Sequence, residues 1–214
     1  ILFLSSNLLK IFDGGWVPIL IAGATFVLLT TWKKGRTVLY DRLRKKSYPF
    51  QNLLADLQKL KLAKVSGTAV FMVGDAELTP PTLLHNINHN KVLHETIIFL
   101  TVIGEEVAYV PEHGHVQVKK IADGFFRVTA HYGFSQNADV IHILNSAQAL
   151  LPELQISDPT FFLGREILVA GQGEEMIFWR KILFAVMARN AASANAYFKL
   201  PLDRVIEVGM QIEL

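Results

Sequence analysis

The sequence predicts an α/β class protein, a mixed-sheet domain preceded by one transmembrane helix. Three observations carry that reading. The hydrophobic excess is confined to the N-terminal stretch 1–32. A dense basic segment follows it directly. From Thr68 onward, short β-branched runs alternate with helical stretches and turn signals. The whole chain has 214 residues, 51% of them hydrophobic, with 21 basic and 19 acidic side chains and no cysteine. That length can bury a sizeable core, and its charge pattern is not that of a disordered chain. The lack of cysteine excludes a disulfide scaffold, a cysteine-ligated zinc and a thiol nucleophile.

The mean hydropathy of +0.31 is high for a soluble domain because residues 1–32 carry only two charges, Lys10 and Asp13. The stretch Gly14–Trp32 has none. As a helix rising about 1.5 Å per residue it covers roughly 28 Å, close to a hydrocarbon core of about 30 Å. Its Leu, Ile, Phe and Val side chains supply roughly −2 to −5 kcal/mol on the insertion scale. Pro18 falls in the first turn, where its missing N–H costs nothing. Trp16 and Trp32 stand at the two ends, as interfacial indoles do. A buried core helix and a secretory signal are the alternatives. The basic cluster follows the apolar run instead of preceding it, which argues against a signal peptide. Residues 1–13 read as the end of a preceding membrane helix and an outer loop. The chain starts at Ile1 and is expected to be a piece of a longer protein.

After Trp32 comes KKGRTVLYDRLRKK, which the positive-inside rule places in the cytoplasm. Residues 33–64 have a net charge of +8 and residues 65–214 one of −6, so the pI near 8.8 carries no message about nucleic acid. Aromatic residues are not interleaved at stacking spacing, and anionic lipid headgroups are the simpler partner. Phe50, Leu53, Leu54, Leu57 and Leu60 recur at helical spacing and predict an amphipathic helix within this 33–64 linker.

The cytosolic α/β domain is expected over 65–214. Thr68–Val73 and Thr96–Val102 read as buried strands. Between them Thr79-Pro80-Pro81 opens a helix reaching Asn90, with Thr79 as N-cap. Val116–Ile121 and Phe126–Tyr132 form a hairpin turned at Asp123-Gly124. Ala138–Leu151 reads as a helix stopped by Pro152, Thr160–Ala170 as a strand, Glu174–Phe198 as a long helix and Arg204–Leu214 as a closing strand. The long helix is too often charged to span a bilayer, since its uncharged apolar stretch lies only between Lys181 and Arg189.

Candidate chemistry is thin. In LHNINHNKVLHE, His85 and His89 stand four apart on one helix face, a metal-compatible spacing, with His94 and Glu95 close behind. An HExxH pattern is absent, so a structural polar cluster is the expectation. Gly171-Gln172-Gly173 before a helix suggests an anion cradle, but Glu174 and Glu175 would repel the anion and complement the helix dipole instead. Glu105/Glu106 lie in a turn, and no nucleophile elbow occurs. Arg165-Glu166 and Arg189-Asn190 sit among apolar residues and read as a core salt-bridge network joining strand and helix. No catalytic, cofactor-binding or metal residue is assigned, and no cofactor is expected.

The blocks LLKIFDGGWVPILI, TTWKKGR, GTAVFM, LHNINHNKVLHE, FRVTAHYGF, FFLGRE and MARNAASANAYFKLPLDRVIEVGMQIEL resemble, in order and over nearly the whole chain, the C-terminal third of the KUP potassium uptake transporters. The resemblance implies a bacterial plasma (inner) membrane protein, a potassium/proton symporter and not an enzyme. Its membrane part would have the amino-acid–polyamine–organocation transporter fold, with Gly14–Trp32 as its last helix. Ion-binding residues would lie upstream, and Asp13 is the one acid near the span. The cytosolic domain would serve assembly or regulation, with a homodimer left open. The alternative function is a membrane-tethered ligand-binding α/β domain, such as a nucleotide sensor, or an enzyme.

Overall fold

The computed structural model describes residues 15–45, 48–60, 62–75, 78–111, 113–169, 171, 173, 175–191 and 198–214. The chain divides into two compact units. Residues 1–13, expected to hold a preceding helix end and outer loop, lie outside the described residues, as do Gln172 and Glu174.

The first unit comprises residues 1–43, 168–191 and 212–214. Its backbone is a 30-residue helix, α1 (Trp16–Lys45). Side chains from Trp16 to Leu29 are exposed on every side of it, which water does not tolerate but lipid does. Among the described residues this is the one helix long and apolar enough to cross a membrane. The helix does not stop where the uncharged stretch ends at Trp32. From Thr31 on its buried residues are Thr31, Gly35, Val38 and Leu39, a stripe spaced four, three and one. That spacing keeps one face packed, while Lys33, Lys34 and Arg36 project from the others. The second helix of this unit is α5 (Phe178–Arg189). Phe184, fully buried, joins Val38, Leu39, Met176, Ile212 and Leu214 in one small core. The expected helix from Glu174 to Phe198 is thus much shorter. It ends at Asn190, whose side-chain Nδ2 donates to the Val186 carbonyl at 2.8 Å. That bond competes with the helical ladder.

The second unit comprises residues 44–167 and 192–211. Its sheet has the order β3-β4-β2-β1-β5-β6, with β1 (Ala63–Met72), β2 (Val92–Glu105), β3 (Val116–Ala122), β4 (Phe125–Gly133), β5 (Pro159–Val169) and β6 (Val205–Glu213). β1, β2, β4 and β5 are mutually parallel, while β3 and β4 form the antiparallel hairpin. The sheet is therefore mixed. The central strands are buried on both faces, and their side chains sort by the two-residue period. Val70, Ile98, Leu100, Val128 and Phe161 enter one core with α4 (Val140–Leu150). Ala69, Phe71, Ile97, Phe99 and Phe162 enter the opposite core with α2 (Phe50–Lys59) and α3 (Pro81–His85). Helices cover both faces, giving three layers. In α2, Leu53 is buried and Phe50, Leu54 and Leu57 lie half-buried, as their spacing requires, but Leu60, the fifth residue of that set, lies past the helix end and is exposed. Asp139 caps α4, accepting from the Ile141 and His142 backbone N–H groups.

Two local details differ from the sequence reading. Thr79 does not cap α3. Pro80 holds that position, and the Thr79 hydroxyl is buried without a hydrogen-bond partner among the described residues. After five residues α3 widens into a π turn, Asn86–Asn90, and Lys91 takes the left-handed conformation. The hairpin turn falls at Asp123-Gly124 as expected. Gly124 has φ +75°, and a Cβ there would lie 2.7 Å from the Glu95 carbonyl oxygen. Only glycine fits.

Candidate functional site

The most specific polar construction lies in the first unit, where α5 meets the foot of α1. Gly35 makes the meeting close, because a Cβ on it would overlap the Phe184 ring. Phe184 also packs edge-to-face on Trp32, with ring centroids 5.6 Å apart, a favoured aromatic arrangement. Arg180 fixes the level of the contact. Its Nε donates to Thr31 Oγ1 at 3.0 Å and its Nη2 to Thr30 Oγ1 at 2.7 Å. Thr30 and Thr31 are the last two residues before Trp32, so α5 is tied to the boundary between the apolar and the basic part of α1.

Lys181 holds the other side of α5. It is 2% exposed, and its ammonium donates to the carbonyls of Gly171 (2.8 Å), Gly173 (2.5 Å) and Leu214 (2.7 Å). An ammonium has three donors and here finds three acceptors. Gly171 and Gly173 therefore present their carbonyl oxygens to the protein's own lysine, a cation, and not to an anion. Arg42 completes the network. It donates to the Glu213 carbonyl and to the Glu175 carboxylate, both at 2.7 Å. The Glu175 backbone N–H, and after it the Arg42 guanidinium, hold the Glu175 carboxyl below its usual range, because both stabilise the charged form. What this arrangement does is mechanical. It fastens the segment after β5, the N-terminal half of α5 and the end of β6 to the C-terminal part of α1.

The residues singled out in the sequence are placed as follows. The His85 and His89 rings stack with centroids 5.6 Å apart. His94 lies elsewhere, edge-on to Phe162 at 5.9 Å, and burial pushes its pKa down. Asn86 Nδ2 donates to the Val92 carbonyl and Asn90 Nδ2 to Asn86 Oδ1, so the asparagines close the turn between α3 and β2. Among the described residues, no group of three or more His, Asp or Glu side chains could hold a metal ion. Glu105 ends β2 and lies 2.7 Å from His131 Nδ1 on the neighbouring β4. Beside it, Gln136 bridges Val110 and the Gly133 N–H, which pins the loop after β2 against the end of β4.

One expectation is overturned. Arg165, Glu166, Arg189 and Asn190 are exposed and do not form a core network. Arg165, with a side chain 70% exposed, pairs at 3.5 Å with Glu207 on β6. The apolar flanks misled because only the first half of β5 enters the core, and its second half turns outward. Sequence reasoning also missed Lys181 and Arg180. The one signal was Lys181 lying on the Phe184 face of α5, and its acceptors could not be read because Leu214 is 33 residues away.

The chain matches the model of the K+ potassium transporter C-terminal domain over residues 66–214, and that of the K+ potassium transporter integral membrane domain over residues 1–37. It is 46% identical over 212 residues to the probable potassium transport system protein Kup of Myxococcus xanthus, covering 99% of this chain and 32% of that protein. It is 42% identical over 213 residues to the probable potassium transport system protein Kup 1 of Paramagnetospirillum magneticum, covering 99% and 33% respectively. The chain thus spans about a third of the length of the relatives it matches. No solved structure matches it.

Proposed function

We propose, from the premise that this chain belongs to the K+ potassium transporter (Kup) family, that it closes the membrane part of a potassium/proton symporter and forms its cytosolic domain. Residues 14–32 are the last membrane helix of an amino-acid–polyamine–organocation-type fold in a bacterial plasma membrane. Within the 33–64 linker the basic residues that continue α1 lie at anionic headgroups, while α2 packs on the sheet and β1 already begins at Ala63; 65–214 form a cytosolic domain for assembly or regulation. The single observation that supports this most is α1 itself. It exposes apolar side chains all round from Trp16 to Leu29 and then, without a break, becomes a helix with lysines and arginines on its exposed faces. Lipid followed by cytoplasm is the solvent sequence that such a surface fits.

The span 14–32 offers no ionisable group to relay protons, so the proton-coupling residues are expected upstream of it. What this chain's own residues supply is coupling hardware. Gly35, Arg180 and Lys181 make the foot of α1 and the loops around α5 one body, so a tilt of α1 during transport moves those loops with it. The test is complementation. The full-length protein restores growth of a potassium-uptake-deficient bacterium at low potassium. Failure of well-expressed, membrane-inserted protein to do so sinks the proposal.

A further inference from the structure

α5 has a face that the first unit leaves uncovered. Phe178, Trp179, Ile182 and Val186 are 62%, 50%, 46% and 50% exposed, and Ile177, just before the helix, is exposed as well. At about 100° per residue these four helix positions fall within one arc of about 100°. Phe184 and Lys181 are buried in the unit. Large apolar side chains gathered in one exposed patch are a liability in water. The patch also lies at a defined level. Arg180, in the first turn of α5, is bonded to Thr30 and Thr31, and Phe184, one turn on, lies against Trp32 and Gly35. Thr30, Thr31 and Trp32 end the apolar run, and Gly35 lies among Lys33, Lys34 and Arg36. A helix held at that border sits at headgroup depth whenever α1 spans a bilayer.

The geometry points to α5 as an interfacial helix, lying against the cytoplasmic leaflet with Phe178, Trp179, Ile182 and Val186 in the headgroup–acyl boundary. This rests on the reading of α1 as a span. The occupant is lipid, not a partner protein, for two reasons. The exposed apolar surface of α1 from Trp16 to Leu29 ends where α5 is attached, so the two surfaces share one apolar medium. The exposed charges that follow the border on α1, Lys33, Lys34 and Arg36, are cationic, and the exposed acid just before α5, Glu175, is paired with Arg42, which matches anionic headgroups. Trp179 is the residue type that interfaces enrich. The Lys181 and Arg180 contacts then make α5 a rigid outrigger: it sets the depth and tilt of α1 relative to the leaflet.

Spin-label accessibility tests this on the full-length protein in vesicles of phosphatidylethanolamine and phosphatidylglycerol. Cysteine is introduced singly at Ile182, Val186, Leu20 and Gln117, with any cysteine elsewhere in the protein replaced. The proposal expects labels at 182 and 186 to meet oxygen more readily than a water-soluble nickel chelate, as the Leu20 label does and the Gln117 label does not. Preferential access of the nickel chelate at 182 and 186, with Leu20 still in lipid, places the patch in water and overturns the interfacial helix alone. Low access of both reagents with an immobilised spectrum overturns it in favour of protein cover. A Leu20 label in water removes the span itself and both readings together.

Discussion

Replacing Lys181 by methionine removes the ammonium while keeping most of its buried stem, so it isolates the three charge-assisted bonds to Gly171, Gly173 and Leu214. A hydrogen bond to a charged group contributes about 1.5–3 kcal/mol net. The three share one ammonium and do not add, so the expected loss is about 3 kcal/mol, the upper end for one such bond. The loss is local, because every partner lies in the same small unit. The assay is amide hydrogen exchange of α5 and of residues 212–214 in the full-length protein in detergent. A loss of about 3 kcal/mol accelerates exchange there roughly 150-fold. Exchange in β1, β2 and β4, whose strands lie in the other unit, should stay unchanged. Acceleration of less than about threefold at α5 would refute the Lys181 contacts as a fastening. Lys181→Arg is expected to fail as well, since a planar guanidinium does not reproduce a compact three-donor head.

Three further outcomes follow from single contacts. Gly35→Leu forces the Phe184 ring off α1 and breaks its packing on Trp32; a loss of about 2–3 kcal/mol is expected, read as faster exchange of α5 and a changed Trp32 fluorescence. Gly133→Ala drives a methyl into the Ala108 carbonyl oxygen, and the loop that Gln136 pins must move; a loss of about 1–3 kcal/mol should appear as a lower melting temperature with the α5 region untouched. Burial lowers the His94 pKa in the folded chain. The unfolded chain therefore takes up its proton first, and stability falls as pH drops through the ordinary histidine range near about 6.5. His94→Phe should flatten that part of the pH–stability curve measured by thermal melting, leaving the fall at carboxylate pH, to which Glu175 and Asp56 contribute with their lowered values.

Parts of this architecture were open to a reading of the sequence for physical reasons. TAVFMV and TIIFLTV are continuous apolar runs because β1 and β2 carry helices on both faces, and Asp123-Gly124 announces a turn because the second position demands positive φ. The apolar part of α1 was legible from the uncharged stretch Gly14–Trp32, although the helix runs on to Lys45 because Gly35, Val38 and Leu39 keep one face packed. The order of the sheet was not legible, since nothing local says that β5 lies beside β1. The length of α5 was overestimated because the composition from 174 to 198 stays helix-compatible, while its end is set by Asn190 turning its side chain on the backbone. The π turn at Asn86–Asn90 has no local signature. Lys181 looked like a charge that merely interrupts an apolar run. Its meaning depends on carbonyls brought from Leu214 and from a glycine loop, and only the folded chain assembles them. Arg165-Glu166 misled in the opposite direction, because apolar neighbours in sequence do not bury a residue on the outward half of a strand.

The central claim is transport, and it is tested most directly by rubidium uptake, a tracer for potassium, into proteoliposomes holding the full-length protein under an inward proton gradient. We expect saturable uptake that potassium competes for and that a protonophore suppresses. Uptake no greater than in protein-free vesicles, with insertion verified, would contradict it.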